Sequence, residues 1–398
     1  MTDLLQTHAL LAELVDHHAP ELTLLRRELH AHPEPSWEER RTTERLRARL
    51  EDAGLDARVA PTGTGVICDI GSAGPMVMIR GDIDALRMPD TKEVPYRSKV
   101  DGICHACGHD LHATVALGAG LVISEALAAT GQEGRVRLIL QPAEETVPGG
   151  ATALVDAGVM RDVRAGFGLH ADPSLTTGQV GLSAGAITSA ADLLRIVVKG
   201  PGGHTARPHQ TVDVVHVAAR LVTELPRDLA RRCDPRDGVN LTFGSVKAGD
   251  APNVIPTEAV LNGSLRSGGR SAWDLAPELL ARMVPAIAEP LGAQWELEHQ
   301  RGAPPIMNDP WAISMVTRAA VSVLGEQGVV PTKQSAGGED FSWYGEHAPV
   351  GFFRLGVRHP GAARTDLHAS SFDVDEAAIP IGTKILAGAA LEALAAFS

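Results

Sequence analysis

The stretch PMVMIRGDIDAL (residues 75–86) runs from apolar residues into two aspartates, and RVRLILQPAEE (135–145) runs likewise into two glutamates. Each reads as a buried strand whose carboxyl end opens on a site. Between them, DLHATVALGAGLVISEALAATG carries helical periodicity and stops on Gly131, a residue type that ends helices readily. Strand, helix, strand predicts an α/β architecture. VRAGFGLHA (163–171) reads as a further strand ending in His170, and residues 21–52 as two helices separated by a proline-interrupted turn.

Beyond Gly185 the texture changes. DLLRIVVKG reads as a strand, TVDVVHVAARLVTELPRDL as a helix, VNLTFGSVKAG and VIPTEAVLNGSLRS as strands, SAWDLAPELLARMVPAIAEPL as a helix and QWELEHQ as a strand. That β-α-β-β-α-β order is ferredoxin-like. After RGAPPIMNDP the helix and strand alternation resumes, so the expectation is a discontinuous domain of residues 1–184 and 298–398 with a second domain, 185–297, inserted into it. A chain of 398 residues exceeds the size at which one core keeps growing, and 44% hydrophobic residues suffice for two.

A formal net charge of −13 argues against a nucleic-acid or anionic-membrane surface, both of which need clustered Lys and Arg. No uninterrupted apolar run of about 18 residues is read, and MTDLLQTHALLAELVDHHAP lacks the basic segment and cleavage site of a secretory signal, so a cytoplasmic protein is expected. Four cysteines, at 68, 104, 107 and 233, are too few for a disulfide scaffold of this length.

Two of those cysteines stand in DGICHACGHDLHATVALGAG (101–120), with three histidines, between Cys104 and His112. Gly108 after the second cysteine excludes a c-type haem site, the preceding RSKVDG is not the strand of a thioredoxin motif, and no second ligand pair exists for a structural zinc knuckle. Cys107-x-His109 remains as half a metal site, with candidate partners in QPAEE, in GLHA with His170 and in TDLHASSFD with His368. Adjacent residues project differently, so one of Glu144 and Glu145 can bind metal while the other takes a proton from water. In VKGPGGHTARPH (198–209), His204 follows three glycines and suits a donor to an oxyanion, or equally a solvated turn. GLSAG (181–185) matches the G-x-S-x-G serine elbow at Ser183, but a strand rather than a helix is read after it.

Taken in order, LHAHPEPSWEE, GDIDAL, HACGHDLHAT, QPAEE, GGHTARPH, NVIP, GGEDFSWY and LHASSFDVDE resemble the M20 family of metallopeptidases and amidohydrolases, especially its N-acyl-amino-acid hydrolases, which include hippurate and auxin-conjugate hydrolases. The resemblance spans nearly the whole chain. It implies a di-metal α/β catalytic domain and a ferredoxin-like lid that mediates a homodimer. Cys107 would replace the bridging aspartate of other branches, with His109, Glu145, His170 and His368 completing the metal shell. Glu144 would be the general base and Asp84 a group orienting a ligand. His204, often supplied by a partner subunit, would polarise the scissile carbonyl, and Asn253 and Arg266 would meet the substrate carboxylate. The implied cofactors are two divalent ions, zinc, manganese, cobalt or nickel, and the implied partner is a small N-acyl amino acid or amide.

Arg87 in place of a usual proline, Thr146 and Val147 before the expected glycine-rich turn, and Pro201 in place of a lysine or similar residue depart from the pattern, and Arg87 and the altered turn are expected close to the site. The alternatives are a dipeptidase, an aminopeptidase or an N-acetyl-diaminopimelate deacetylase of the same family. More remote are a serine hydrolase, a non-catalytic binding protein and a dithiol redox protein using Cys104 and Cys107.

Overall fold

All seven residues of Met76–Asp82 are buried, which a strand tolerates only with both faces covered; the computed structural model, which describes residues 2–397, supplies those covers. The first elements are α1 (Thr2–Ala31), α2 (Arg40–Asp52), β1 (Ala57–Val59), β2 (Val66–Ile70), β3 (Met76–Asp82), α3 (His109–Thr130), β4 (Arg135–Gln141), α4 (Gly150–Asp156), β5 (Val163–Thr176), β6 (Val180–Leu182) and β7 (Gly185–Ala186). Next come β8 (Ala190–Lys199), β9 (Gly203–His204), α5 (Val214–Ala230), β10 (Asn240–Ala248), β11 (Val254–Ile255), β12 (Glu258–Ser267), α6 (Arg270–Ala288) and β13 (Gln294–Ala303). The last are β14 (Met307–Asn308), α7 (Pro310–Leu324), β15 (Val329–Pro331), β16 (Val350–Arg358) and α8 (Ala378–Phe397). The architecture is mixed α/β.

By their contacts these elements divide into two units. The first runs to Ile187 and resumes over Met307–Lys333 and from Trp343. Its eight-stranded mixed sheet has the order β1-β2-β4-β3-β5-β16-β6-β15, with β4, β3, β5 and β16 parallel at the centre. Asp82 of β3 pairs with Gln141 of β4, and Arg80 pairs with Gly168 of β5, so Asp82, Gln141 and His170 end level with one another. That edge of the sheet gathers the acidic strand ends read from the sequence. β5 does not stop at His170, as its sequence suggested, but continues to Thr176, because β16 supplies parallel partners such as Leu355 for Ala171.

Two helices, α3 and α8, are long and apolar enough to cross a bilayer by composition, although neither is an uninterrupted apolar run: Ser124 and Glu125 interrupt α3, and Lys384 and Glu392 interrupt α8. Both lie in the core of this unit, and a helix enclosed by protein is apolar on every side. The close seat of α3 on β3 depends on Gly81, where a Cβ would lie 2.5 Å from the His112 carbonyl oxygen.

The second unit comprises Thr188–Ile306 and Gln334–Ser342. Its antiparallel sheet has the order β10-β12-β8-β13. Leu194, Ile196 and Val198 of β8 pack in its core with Leu221 and Leu225 of α5 and Leu280 and Val284 of α6. Asp213 caps α5 by accepting the Val215 and His216 N–H groups, each at 3.1 Å. The segment VIPTEAVLNGSLRS, read as one strand, is two: Pro256 lacks an N–H for the ladder, so β11 pairs with β9 and β12 with β8.

Candidate metal centre

In the first unit Gly108 caps the start of α3 with φ 93°, a backbone that suits glycine, and a Cβ there would lie 3.0 Å from the Ala171 Cβ. The turn lets Cys107 and His109, on either side of it, address one point. Cys107 Sγ lies 3.5 Å from His170 Nε2 and 3.4 Å from His368 Nε2. His368 Nε2 lies 3.3 Å from Glu145 Oε1, and His109 Nε2 lies 3.8 Å from the same oxygen and 4.0 Å from Glu144 Oε2. Cys107, His109 and His170 form one set of donors within 4.8 Å of one another, and Cys107, Glu145 and His368 form a second. The thiol belongs to both.

The imidazoles are held with their free nitrogens inward. His170 Nδ1–H donates to the Ala171 carbonyl at 2.7 Å, and His109 Nδ1–H donates to Asp84, 3.0 Å from its carbonyl and 3.2 Å from Oδ1. Each Nε2 is thereby left with its lone pair. His109 Nε2 and Glu145 Oε1 are buried and have no partner in hydrogen-bonding geometry. Buried polar atoms are rarely left so, and a thiol, three imidazoles and a carboxylate suit a divalent cation. His368, with its side chain 53% exposed, is the open member of the set.

Asp84 organises the backbone around these donors. Its carboxylate accepts the N–H of Glu144 at 3.0 Å, the N–H of Glu145 at 3.1 Å and the Ser36 hydroxyl at 2.7 Å. His112 ties α3 to β5: its Nδ1–H donates to Asp82 at 2.7 Å and its Nε2 accepts the Ala171 N–H at 2.8 Å.

Electrostatics point to a missing positive charge. Burial, reinforced by the Glu145 carboxylate, pushes the Cys107 thiol well above its ordinary value. Burial works against His109, but the charge of Asp82 and the Asp84 hydrogen bond carry it well above the usual imidazole value. Negative charge is thus concentrated around His109, and a divalent ion would balance it. Burial, with His112 and Arg354 nearby, holds His170 well below its ordinary value and so in its ligating form.

The apparent Cys104–Cys107 pair is two separate free thiols. Cys104 Sγ faces the Pro89 carbonyl at 3.9 Å, and burial pushes it up to about 11. Ser183 stands between β6 and β7, not before a helix, and its hydroxyl donates to the Ala184 carbonyl at 3.2 Å, which removes the elbow geometry.

The remaining expected residues lie in the second unit. His204 is exposed on β9 opposite Val254, so Asn253 is its near neighbour, and the Asn253 carbonyl accepts the Thr205 N–H at 3.3 Å. The Ala206 N–H donates to His204 Nδ1 at 3.1 Å. Arg266 stands on β12 opposite Asn240 and Ala191. Sequence reasoning missed Ser36, Glu39 and Asp82 around the centre. Only their place in LHAHPEPSWEE and GDIDAL marked them.

A model of peptidase family M20/M25/M40 matches residues 78–392. Over 366 residues the chain is 35% identical to an N-acetylcysteine deacetylase of Bacillus subtilis, covering 91% of this chain and 94% of that protein. Over 362 residues it is 42% identical to a Rhodococcus jostii protein provisionally named glutamate–cysteine ligase 2-3; there it spans 91% of its own length but only 45% of the relative's. Among solved structures, a Bacillus subtilis dinuclear metal-binding peptidase of the M20 family superposes with a TM-score of 0.83 at 32% identity, over 96% of this chain and 99% of that one. With donor geometry, family model, relatives and fold in agreement, the chain belongs to peptidase family M20/M25/M40 and is a metal-dependent amidohydrolase.

Proposed function

We propose that the protein removes the acyl group from N-acylated amino acids, releasing a carboxylic acid and a free amino acid, with Cys107, His109, Glu145, His170 and His368 holding two divalent cations. The observation that carries this reading is the sharing of Cys107 Sγ by two donor sets, with Glu144 beside them. Zinc suits the thiolate, imidazole and carboxylate mixture, and manganese, cobalt and nickel fit the same donors. When bound, such ions supply Lewis acidity that lowers the pKa of water and polarises an amide carbonyl. Glu144 takes the proton of the attacking water at its carboxylate and hands it to the departing amine nitrogen. His204, its Nδ1 engaged by the Ala206 N–H, keeps its proton on Nε2 and donates there to the developing oxyanion, a contribution of about 3 kcal/mol for a good donor.

Asn253 and Arg266 meet the carboxylate of the amino acid, and Asp84 orients His109. The strand order β10-β12-β8-β13 supports reading the second unit as ferredoxin-like. In this reading residues 185–297 are a lid that also joins two subunits in a homodimer, and residues 1–184 and 298–398 are the catalytic domain. The protein acts in the cytoplasm. The N-acetylcysteine deacetylase relative supports an N-acyl amino acid over a dipeptide as substrate. Arg87, paired with Glu38 at 2.5 Å on the exposed rim, is a departure that tunes the acyl preference.

The test is hydrolysis of a panel of N-acetyl, N-benzoyl and longer N-acyl amino acids and short dipeptides by metal-analysed protein, with Glu144→Gln alongside. The variant is expected to keep its metal and lose about a hundredfold or more in kcat. Retention of more than about a tenth of the rate removes Glu144 as the base.

A further inference from the structure

Four non-glycine residues among those described have left-handed backbone, and three of them lie in or beside the metal centre: Trp37 (φ 67°), Ala143 (φ 53°) and His368 (φ 61°). Two of the three are tied to one atom. Glu39 Oε1 accepts the Trp37 N–H at 2.9 Å and the Ala143 N–H at 2.8 Å, although 104 residues separate Glu39 from Ala143. Glu39 is fully buried, as is Ala143, so this carboxylate oxygen stands where solvent cannot substitute for it. Its backbone is anchored in turn, since the Glu39 carbonyl accepts the Thr43 N–H at 2.9 Å as α2 begins.

Ala143 opens the turn that presents Glu144 and Glu145. Its carbonyl accepts the Gly150 N–H at 2.9 Å, and the next two N–H groups go to Asp84 at 3.0 and 3.1 Å. Every main-chain N–H from Ala143 to Glu145 is therefore held by a buried carboxylate, Glu39 for the first and Asp84 for the other two. A left-handed residue turns its N–H away from the regular ladder and persists only when its surroundings over-determine it. Hydrogen bonds to a rigid, buried acceptor do so.

We infer that Glu39 is a positioning residue: by gripping the Ala143 N–H it sets where the Glu144 carboxylate and the Glu145 oxygen stand. The inference rests on the reading of Glu144 as base and Glu145 as ligand. A displacement of about 1 Å in such a group costs about a hundredfold in rate.

The test compares Glu39→Gln, which keeps an uncharged oxygen at the same reach, with Glu39→Asp, which keeps the charge but withdraws it by one methylene. On the zinc-loaded full chain, Glu39→Asp is expected to lower kcat about tenfold or more with KM changed less than about threefold. On stripped protein, competition with a chromogenic chelator is expected to show its zinc affinity reduced about tenfold. Glu39→Gln is expected to stay within about threefold of wild type in both measurements, because the acceptor is restored. Wild-type kcat and zinc affinity in Glu39→Asp overturn the inference, as does equal loss in Glu39→Gln. Failure of both variants to fold also overturns it, by assigning Glu39 to the fold alone. Glu144→Gln measured in parallel separates the two claims: if it stays active the base reading fails, while the zinc affinities still report on the turn.

Discussion

His109 and Asp110 are consecutive and both buried, yet they serve two different charged clusters. His109 faces donors whose lone pairs no protein group satisfies, its own Nε2 and Glu145 Oε1 among them. Asp110 faces a cation that the chain provides. Arg26, 1% exposed, donates from Nε to Asp110 at 2.7 Å and from Nη2 to Asp373 at 2.6 Å, and its guanidinium lies 4.9 Å from the Tyr96 ring centroid. Burial opposes the charge on Arg26, but the carboxylates of Asp110 and Asp373 hold its pKa far above ordinary. Buried charge by itself does not mark a site. A site is marked by buried charge whose counterion is left to come from outside.

The largest effect that would break this contrast is in the self-contained cluster. Arg26→Met is expected to destabilise the metal-loaded protein by about 3–5 kcal/mol in urea unfolding, because Asp110 is left buried without its cation. A loss below about 1 kcal/mol would show that Arg26 is dispensable there. For the open cluster the matching experiment is chelation. Removing metal present at a hundredfold over its Kd is expected to cost about 2.7 kcal/mol, read as a fall in Tm that zinc restores. The same treatment is expected to open Cys107 to alkylation, and an unchanged Tm with Cys107 equally reactive in both states would sink the metal assignment.

A smaller effect sharpens the rule with a third cluster. Glu392 of α8 is held below the usual carboxylate range: burial acts to raise it, and the hydrogen bonds from His8 at 3.1 Å and from Arg318 outweigh that. A depressed folded pKa gives stability that is in place above the unfolded value of about 4.3 and is lost as pH falls through the folded one. Arg318 is half exposed, so the pair is worth under about 1 kcal/mol after solvent screening. Stability measured from pH 6 down to about 3 is expected to fall less steeply in Glu392→Gln, and parallel curves would remove the pair from the account. Smallest of all, Ser183→Ala is expected to change stability by less than about 0.5 kcal/mol and to leave hydrolysis intact. Lost activity with metal content unchanged would return the serine to consideration.

The parts legible in the sequence are those with local signatures. β3 and β4 declare themselves because parallel strands covered on both faces are continuously apolar and end here in acids. The second unit is legible because its helices and strands alternate with ordinary periods. β16, VGFFRLGVR, is nearly as buried as β3 but ends in Arg358 rather than in acids, and nothing local says that it lies between β5 and β6 and lets β5 run past His170. Nor does anything local distinguish the two glutamates of SWEE: Glu38 is exposed and pairs with Arg87, whereas Glu39 is buried against Ala143. Arg26 and Asp110 are separated by 84 residues, and only the packing of α1 on α3 brings them together. What the sequence hides is long-range pairing, and long-range pairing sets the angles of the centre.

Cys107 and His368 stand 261 residues apart in the chain. On a ribosome adding about 5–20 residues per second, His368 is made roughly 10–40 s after His170. A nascent chain thus holds Cys107, His109 and His170 long before it holds the donor that completes the second set. Metal capture during translation is limited to the four donors Cys107, His109, Glu145 and His170, and the set that needs His368 is completed only in the last stage of biosynthesis.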